Sequence, residues 1–192
     1  MAARASRRIL SVLILMAGVA LFSVLAQSGG ALPAVPPELE KVRAAMEKYK
    51  DPAVAVRDGY FSTLGCVEYP TGGMGIHFLN THLISPKLDP MRPTILLYEP
   101  VGDKLVLVGV EWFVPLATGI KERPSIFGQP FDGPMEGHEP LLPAELHHYD
   151  LHVWLFKHNP AGLFKSTNPD VKCPKSYGYN FSLKPPKPVQ HK

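Results

Sequence analysis

Residues 104–115 read KLVLVGVEWFVP, and the alternation along this stretch decides the architecture. Extended backbone points successive side chains to opposite faces. Leu105, Leu107, Gly109, Glu111 and Phe113 then share one face, and Val106, Val108, Val110, Trp112 and Val114 the other. Both faces are apolar, as expected of a central strand covered on both sides. Glu111 is the exception. A carboxylate taken out of water costs several kcal/mol unless it is paired, coordinated or protonated. The plain alternative to a functional role is a salt bridge to a Lys or Arg under the neighbouring loop.

Upstream of this strand, VGD at 101–103 makes a hairpin turn from the β-branched and apolar TILLYEP at 94–100. A further strand, GMGIHFLN at 73–80, follows a glycine-rich turn after Cys66, and LHVWLF at 151–156 supplies another. Before them, Leu39, Val42, Met46 and Tyr49 recur at helical intervals behind Pro37, and Asp51-Pro52 ends that helix. A short helical turn, AVAVRDGY, closes at Gly59. Residues 116–146 carry prolines at 124, 130, 134, 140 and 143 and glycines at 119, 128, 133 and 137, the composition of a long ordered loop or lid over one mouth of the sheet. One helix followed by a run of strands is an α+β arrangement: an N-terminal amphipathic helix on a curved, mainly antiparallel sheet or partial barrel. A β-sandwich is the competing arrangement.

Two histidines fall on these strands. His77 shares a face with Gly75 and Leu79, opposite Met74, Ile76 and Phe78. In HHYDLHVWLF, residues 147–156, an extended chain puts His148, Asp150, His152 and Trp154 on one face. As a helix it would set His148 and His152 one turn apart like a zinc protease, but Tyr149 stands where that motif needs glutamate. As a strand, His152 can join His77 and Glu111 in a two-histidine, one-carboxylate set suited to Zn, Cu, Mn or Fe. His148 and Asp150 would orient a ligand from outside that set or complete it. The plain reading is a polar rim: His147 and His148 solvated, Asp150 capping a turn, His77 and His152 bonded to backbone. No close HxH or CxxC pair decides between the two.

The N-terminus places Arg4, Arg7 and Arg8 before an uncharged apolar run, Ile9–Ala26, ending in small residues. This is the order of a secretory signal over residues 1–26, with an uncleaved membrane anchor as the alternative. Its removal takes three arginines and no acid, so the formal charge falls from +3 to 0 and nucleic acid is not an expected partner. A Gly- and Pro-rich spacer, 27–37, precedes a single domain, 38–178, and a flexible basic tail, 179–192. The expected compartment is periplasmic or extracellular, with no stable membrane span once the signal is cut. There the two cysteines, Cys66 and Cys173, are most economically a disulfide, and a pair of soft metal ligands is the alternative.

GMGIHF, the strand through LVGVEWF, LHVW, NPAGLF and NPDVKC together resemble a group of secreted bacterial proteins of unknown function, over about Cys66 to Cys173. The resemblance implies no activity. It draws attention to His77, Glu111, His152 and Cys173 as motif positions, whereas His82, His147 and His148 lie outside the shared pattern. No nucleotide-binding glycine loop and no GxSxG elbow occurs. Three functional classes stand: a protein binding a transition metal or a small ligand through it, a metal-assisted hydrolase or oxidoreductase, and an envelope structural or interaction module without a metal.

Overall fold

The computed structural model describes residues 34–177, 180–182 and 184–190. The expected signal peptide and the spacer up to residue 33 lie outside them. Helix α1, Pro37–Met46, starts on a proline whose missing N–H costs nothing in the first turn, and its early Glu38 and Glu40 face the positive end of the helix dipole. It buries Leu39, Val42 and Met46, then tightens into a 3₁₀ turn, Glu47–Lys50, that buries Tyr49. Asp51 caps α2, Pro52–Arg57, by accepting a 2.9 Å hydrogen bond from the Ala53 amide. No helix among the described residues is long and apolar enough to cross a membrane.

The strands are β1 (Phe61–Tyr69), β2 (Gly72–Leu79), β3 (Ile95–Val101), β4 (Lys104–Pro115), β5 (Ser125–Ile126), β6 (Gln129–Pro130), β7 (Asp132–Met135), β8 (His148–Val153) and β9 (Asn180–Ser182). Seven form one sheet in the order β7-β8-β4-β3-β2-β1-β9, antiparallel throughout except for the parallel pair β1–β9. The sheet is open rather than closed into a barrel, with β7 and β9 at its edges. A sandwich is not formed by the described residues, because the other sheet is only the two-residue strands β5 and β6. The protein is thus α+β with a mainly antiparallel sheet.

The face toward the helices carries Ile76, Phe78, Leu96, Tyr98, Val110 and Trp112 in one cluster with Leu39, Val42 and Met46. The Tyr98 hydroxyl donates to the Tyr49 carbonyl at 2.6 Å, tying the sheet to the 3₁₀ turn. The opposite face carries Ile95, Leu97, Val108, Phe113 and Trp154. Strict alternation in β4 fails at one point. Gly109 faces Leu97 and Leu107 faces Tyr98, so Val108 is the extra residue of a bulge. Leu107 consequently joins the helix-side cluster and Val108 the far one, the reverse of the simple alternating expectation.

Three other elements differ from the sequence-based expectations. β1, Phe61–Tyr69, precedes the first strand named from the sequence, at 73–80. The 116–146 segment is not all loop, since β7 adds an edge strand to β8. The described part of the tail is paired rather than free. β9 lies along β1, the Val189 amide donates to Pro134 at 2.9 Å, and the Glu136 amide donates to Lys187 at 3.0 Å. Open strand edges present unpaired N–H and C=O groups, and the tail satisfies some of them.

The Asn-Pro motifs are structural. The Asn159 and Asn168 side chains accept from the amides two residues on and donate to the Thr167 and His158 carbonyls. Asn168 also pairs through its backbone with Gly73, whose added Cβ would lie 2.6 Å from the Val171 carbonyl. This docking brings Cys173 to Cys66, and the two form a disulfide with Cα atoms 5.5 Å apart, closing 107 residues of sequence separation. In the loop-entropy relation such a closure contributes about 4 to 5 kcal/mol. The expected outcome for the Cys66→Ala/Cys173→Ala double variant is a loss of that order in urea unfolding free energy. A loss under about 1 kcal/mol would remove the bridge from any stabilising role.

Candidate metal centre

The site is built on the sheet face away from the helices, and strand register assembles it. Glu111 of β4 pairs directly with His152 of β8. His77 of β2 pairs with Leu97 of β3, while Ile95, two residues earlier on the same face of β3, pairs with Glu111. His77 therefore reaches Glu111 diagonally across β3. Its approach depends on Gly75, which has φ of +83° and would put any Cβ 2.4 Å from the Tyr98 carbonyl. Only glycine fits that close approach.

The Nε2 atoms of His77 and His152 lie 3.5 and 3.3 Å from Glu111 Oε2. The three ligand atoms are within 4.8 Å of one another. All three side chains are enclosed: Glu111 is 3% and His152 1% exposed, and the His77 side chain is 13% exposed. Among the described residues Glu111 Oε2, both ring nitrogens of His152 and Nδ1 of His77 have no hydrogen-bond partner. Among the described residues Glu111 meets no Lys or Arg, so the salt-bridge alternative is not what they build. Glu99, also buried, has what Glu111 lacks: Lys157 Nζ at 2.6 Å and the Lys172 amide at 2.9 Å.

His148, Asp150 and His152 occupy alternate positions of β8 on this same face, as the extended reading expects. His148 is fully buried rather than solvated, because β7 and the loop beyond it cover that end of β8. Asp150, 2% exposed, caps no turn and points into the site. Its Oδ1 lies 3.8 Å from His152 Nδ1, and its Oδ2 lies 3.5 Å from His148 Nε2 and 3.9 Å from the Nε2 of His138. His147 is half-buried and His82 sits in a separate 3₁₀ turn, Thr81–Leu83.

His138 is the residue that sequence reasoning missed. It lies in the Pro/Gly-rich segment after β7, where no periodicity assigns a face. Its Nε2 is 3.1 Å from His148 Nε2, and its Nδ1 is 2.5 Å from the Tyr69 hydroxyl. Its neighbours Leu141 and Leu142 help enclose a cavity of about 60 Å³ that His77, Glu111, Phe113 and Asp150 also line. The expectation that this segment covers the sheet is met at this point. A cavity of that size admits a few waters or a very small ligand, far short of the several hundred Å³ of a drug-sized pocket.

Burial, reinforced by His152 and His138, lowers the His77 pKa to about 3. Burial also holds His138 down, to about 4, and lowers His152 against the pull of Asp150. Glu111 is raised well above its ordinary value by burial and then by the Asp150 charge. For Asp150 burial acts upward, but the His148 contact and the charges of His152, His148 and His138 outweigh it and hold it low. Imidazoles and carboxyls so placed form a donor set for a cation, whose binding displaces any proton that Glu111 holds.

No protein-family model matches the chain, and no curated protein or solved structure is significantly similar to it.

The titration of these groups sets a pH signature for the metal-free protein. His77 and His138 are lowered from 6.5, so the unfolded chain binds more protons below that value and their contribution falls as pH drops from 6.5 toward about 4 and 3. Glu111 acts oppositely, its contribution being complete below 4.5 and lost as pH rises through its raised folded value. With chelator present, urea midpoints are expected to fall from pH 6.5 to 4, and Glu111→Gln to match or exceed wild type at pH 8. A flat acid limb, or a Glu111→Gln variant much weaker than wild type at pH 8, would contradict this assignment.

Proposed function

We propose that this is an extracytosolic protein that binds a divalent transition metal, or a small ligand through that metal, between His77, Glu111 and His152. The observation that carries the reading is the buried Glu111 Oε2, flanked by two imidazole Nε2 atoms at 3.3 and 3.5 Å with no hydrogen bond. Ligand atoms about 2.1 Å from a tetrahedral ion lie about 3.4 Å from one another, which is the spacing of these contacts. The set of two imidazoles and one carboxylate suits Zn, Cu, Mn or Fe. His152 Nδ1, 3.8 Å from Asp150 Oδ1, has the carboxylate neighbour that orients metal-bound histidines.

The disulfide supports a periplasmic or secreted location, since such bridges persist in oxidising compartments. That location agrees with the signal-like N-terminus and with the motif resemblance to secreted bacterial proteins. The adjacent cavity of about 60 Å³ favours one enzymatic alternative, in which an open coordination position activates water or dioxygen in a hydrolase or oxidoreductase. A metal-free envelope module would leave the buried polar atoms of Glu111 and His152 without compensation.

The test is metal content and affinity of wild type against His77→Ala and Glu111→Gln. Both variants are expected to bind the ion at this site more weakly by more than the roughly 10- to 100-fold that loss of an outer-shell partner costs. Equal, substoichiometric metal in all three proteins would end the proposal.

A further inference from the structure

We infer that the chain carries a second divalent-cation site, formed by His138, His148 and Asp150, in which the covering segment supplies one ligand and β8 the other two. The three donor atoms form a closed triangle: His138 Nε2 to His148 Nε2 is 3.1 Å, His148 Nε2 to Asp150 Oδ2 is 3.5 Å, and His138 Nε2 to Asp150 Oδ2 is 3.9 Å. These edges bracket the roughly 3.4 Å expected around a tetrahedral zinc-like ion.

The hydrogen bonds around the triangle leave its lone pairs available. The Leu146 carbonyl, 3.0 Å away, fixes the His148 proton on Nδ1 and turns the Nε2 lone pair inward. His138 has two arrangements. With its proton on Nε2 it donates to His148, and Nδ1 accepts from Tyr69. With the proton on Nδ1 it donates to the Tyr69 oxygen at 2.5 Å, and Nε2 is free for a cation. Passing from one to the other is a change of tautomer, so an ion can enter without either ring gaining charge. Asp150 meets these two rings through Oδ2. It is 2% exposed, its Oδ1 has no hydrogen-bond partner among the described residues, and Asp132 stands opposite it in the β7–β8 register. A buried carboxylate so placed is stabilised by a cation at its Oδ2. A route exists as well, since Tyr69, Asp132, His138, Asp150 and Thr167 line a second cavity of about 260 Å³ on this side.

The second site does not require the first, and Asp150 joins them. Oδ1 faces His152, which belongs to the Glu111 group, while Oδ2 faces the His138 group. With both occupied, Asp150 would ligate the second ion through Oδ2 while its Oδ1 faces the outer nitrogen of His152, a ligand of the first.

The experiment is equilibrium dialysis of the chelator-treated full chain against Zn²⁺, read by elemental analysis, with Co²⁺ absorption as a second readout. Wild type is expected to take up two equivalents. His138→Ala should take up one and keep the Co²⁺ bands of the Glu111 site, and Glu111→Gln should take up one and keep those of the His138 site. Uptake by His138→Ala equal to that of wild type would overturn the second site. If Glu111→Gln kept both ions while His138→Ala lost one, the Glu111 proposal would fail and this one would stand. Because His138→Ala could disturb the covering segment, imidazole ¹⁵N shifts of unmutated protein titrated with Zn²⁺ give a mutation-free check. Nε2 of both His138 and His148 should move to metal-bound positions with the second equivalent, and unmoved resonances would overturn the proposal.

Discussion

The Glu111 carboxyl is buried on an apolar sheet with no Lys or Arg among the described residues to meet it, and much of the molecule is arranged around that constraint. Glu111 lies in β4, between β3 and β8, on a covered face of the sheet where it is 3% exposed. Burial of an uncompensated carboxylate costs several kcal/mol, comparable with the whole net stability of many domains. The protein neutralises another buried glutamate, Glu99, with Lys157. At Glu111 it supplies two imidazoles instead, which neutralise nothing until a proton or a metal ion joins them.

The surrounding elements make sense as devices that hold donors at fixed spacing. Register alone brings His152 opposite Glu111. The close backbone approach at Gly75 lets His77 reach across β3, and the bulge at Val108 restores Glu111 to the far face after Leu107 has turned toward the helices. Tyr69 and the Leu146 carbonyl set the rings of His138 and His148 from outside. Asp150 connects the two groups through its separate oxygens. Donor atoms on neighbouring strands are positioned more rigidly than donors on loops, and four of the five histidine and carboxylate positions apart from His138 lie on β4 or β8.

Period-two patterning was strong enough in β2, β3 and β4 to mark them as strands and to single out His77 and Glu111 as polar residues at apolar positions. The HHYDLH stretch was also readable, because a missing glutamate removed the helical alternative and alternation then put His148, Asp150 and His152 together. What could not be read had a physical cause in each case. A bulge shifts alternation by one residue without changing composition, so the exchange of Leu107 and Val108 was hidden. After Phe61, β1 continues through polar Ser62 and Thr63, and it takes its place through pairing with β2. His138 lies among prolines and glycines with no repeat to give it a direction, and only the closure of residues 136–147 over β8 brings it to the site. The tail lacks an apolar pattern because it docks through backbone hydrogen bonds.

The central claim is that the space between His77, Glu111 and His152 is a coordination sphere. The most direct measurement is a crystal structure of protein isolated from its native compartment, with diffraction collected on both sides of the absorption edge of whichever metal elemental analysis finds. An anomalous peak about 2.0 to 2.2 Å from the Nε2 atoms of His77 and His152 and from a Glu111 oxygen is the expected result. Glu111 bonded instead to a basic side chain or to a protonated imidazole, with no peak among the three residues in metal-replete crystals, would contradict it.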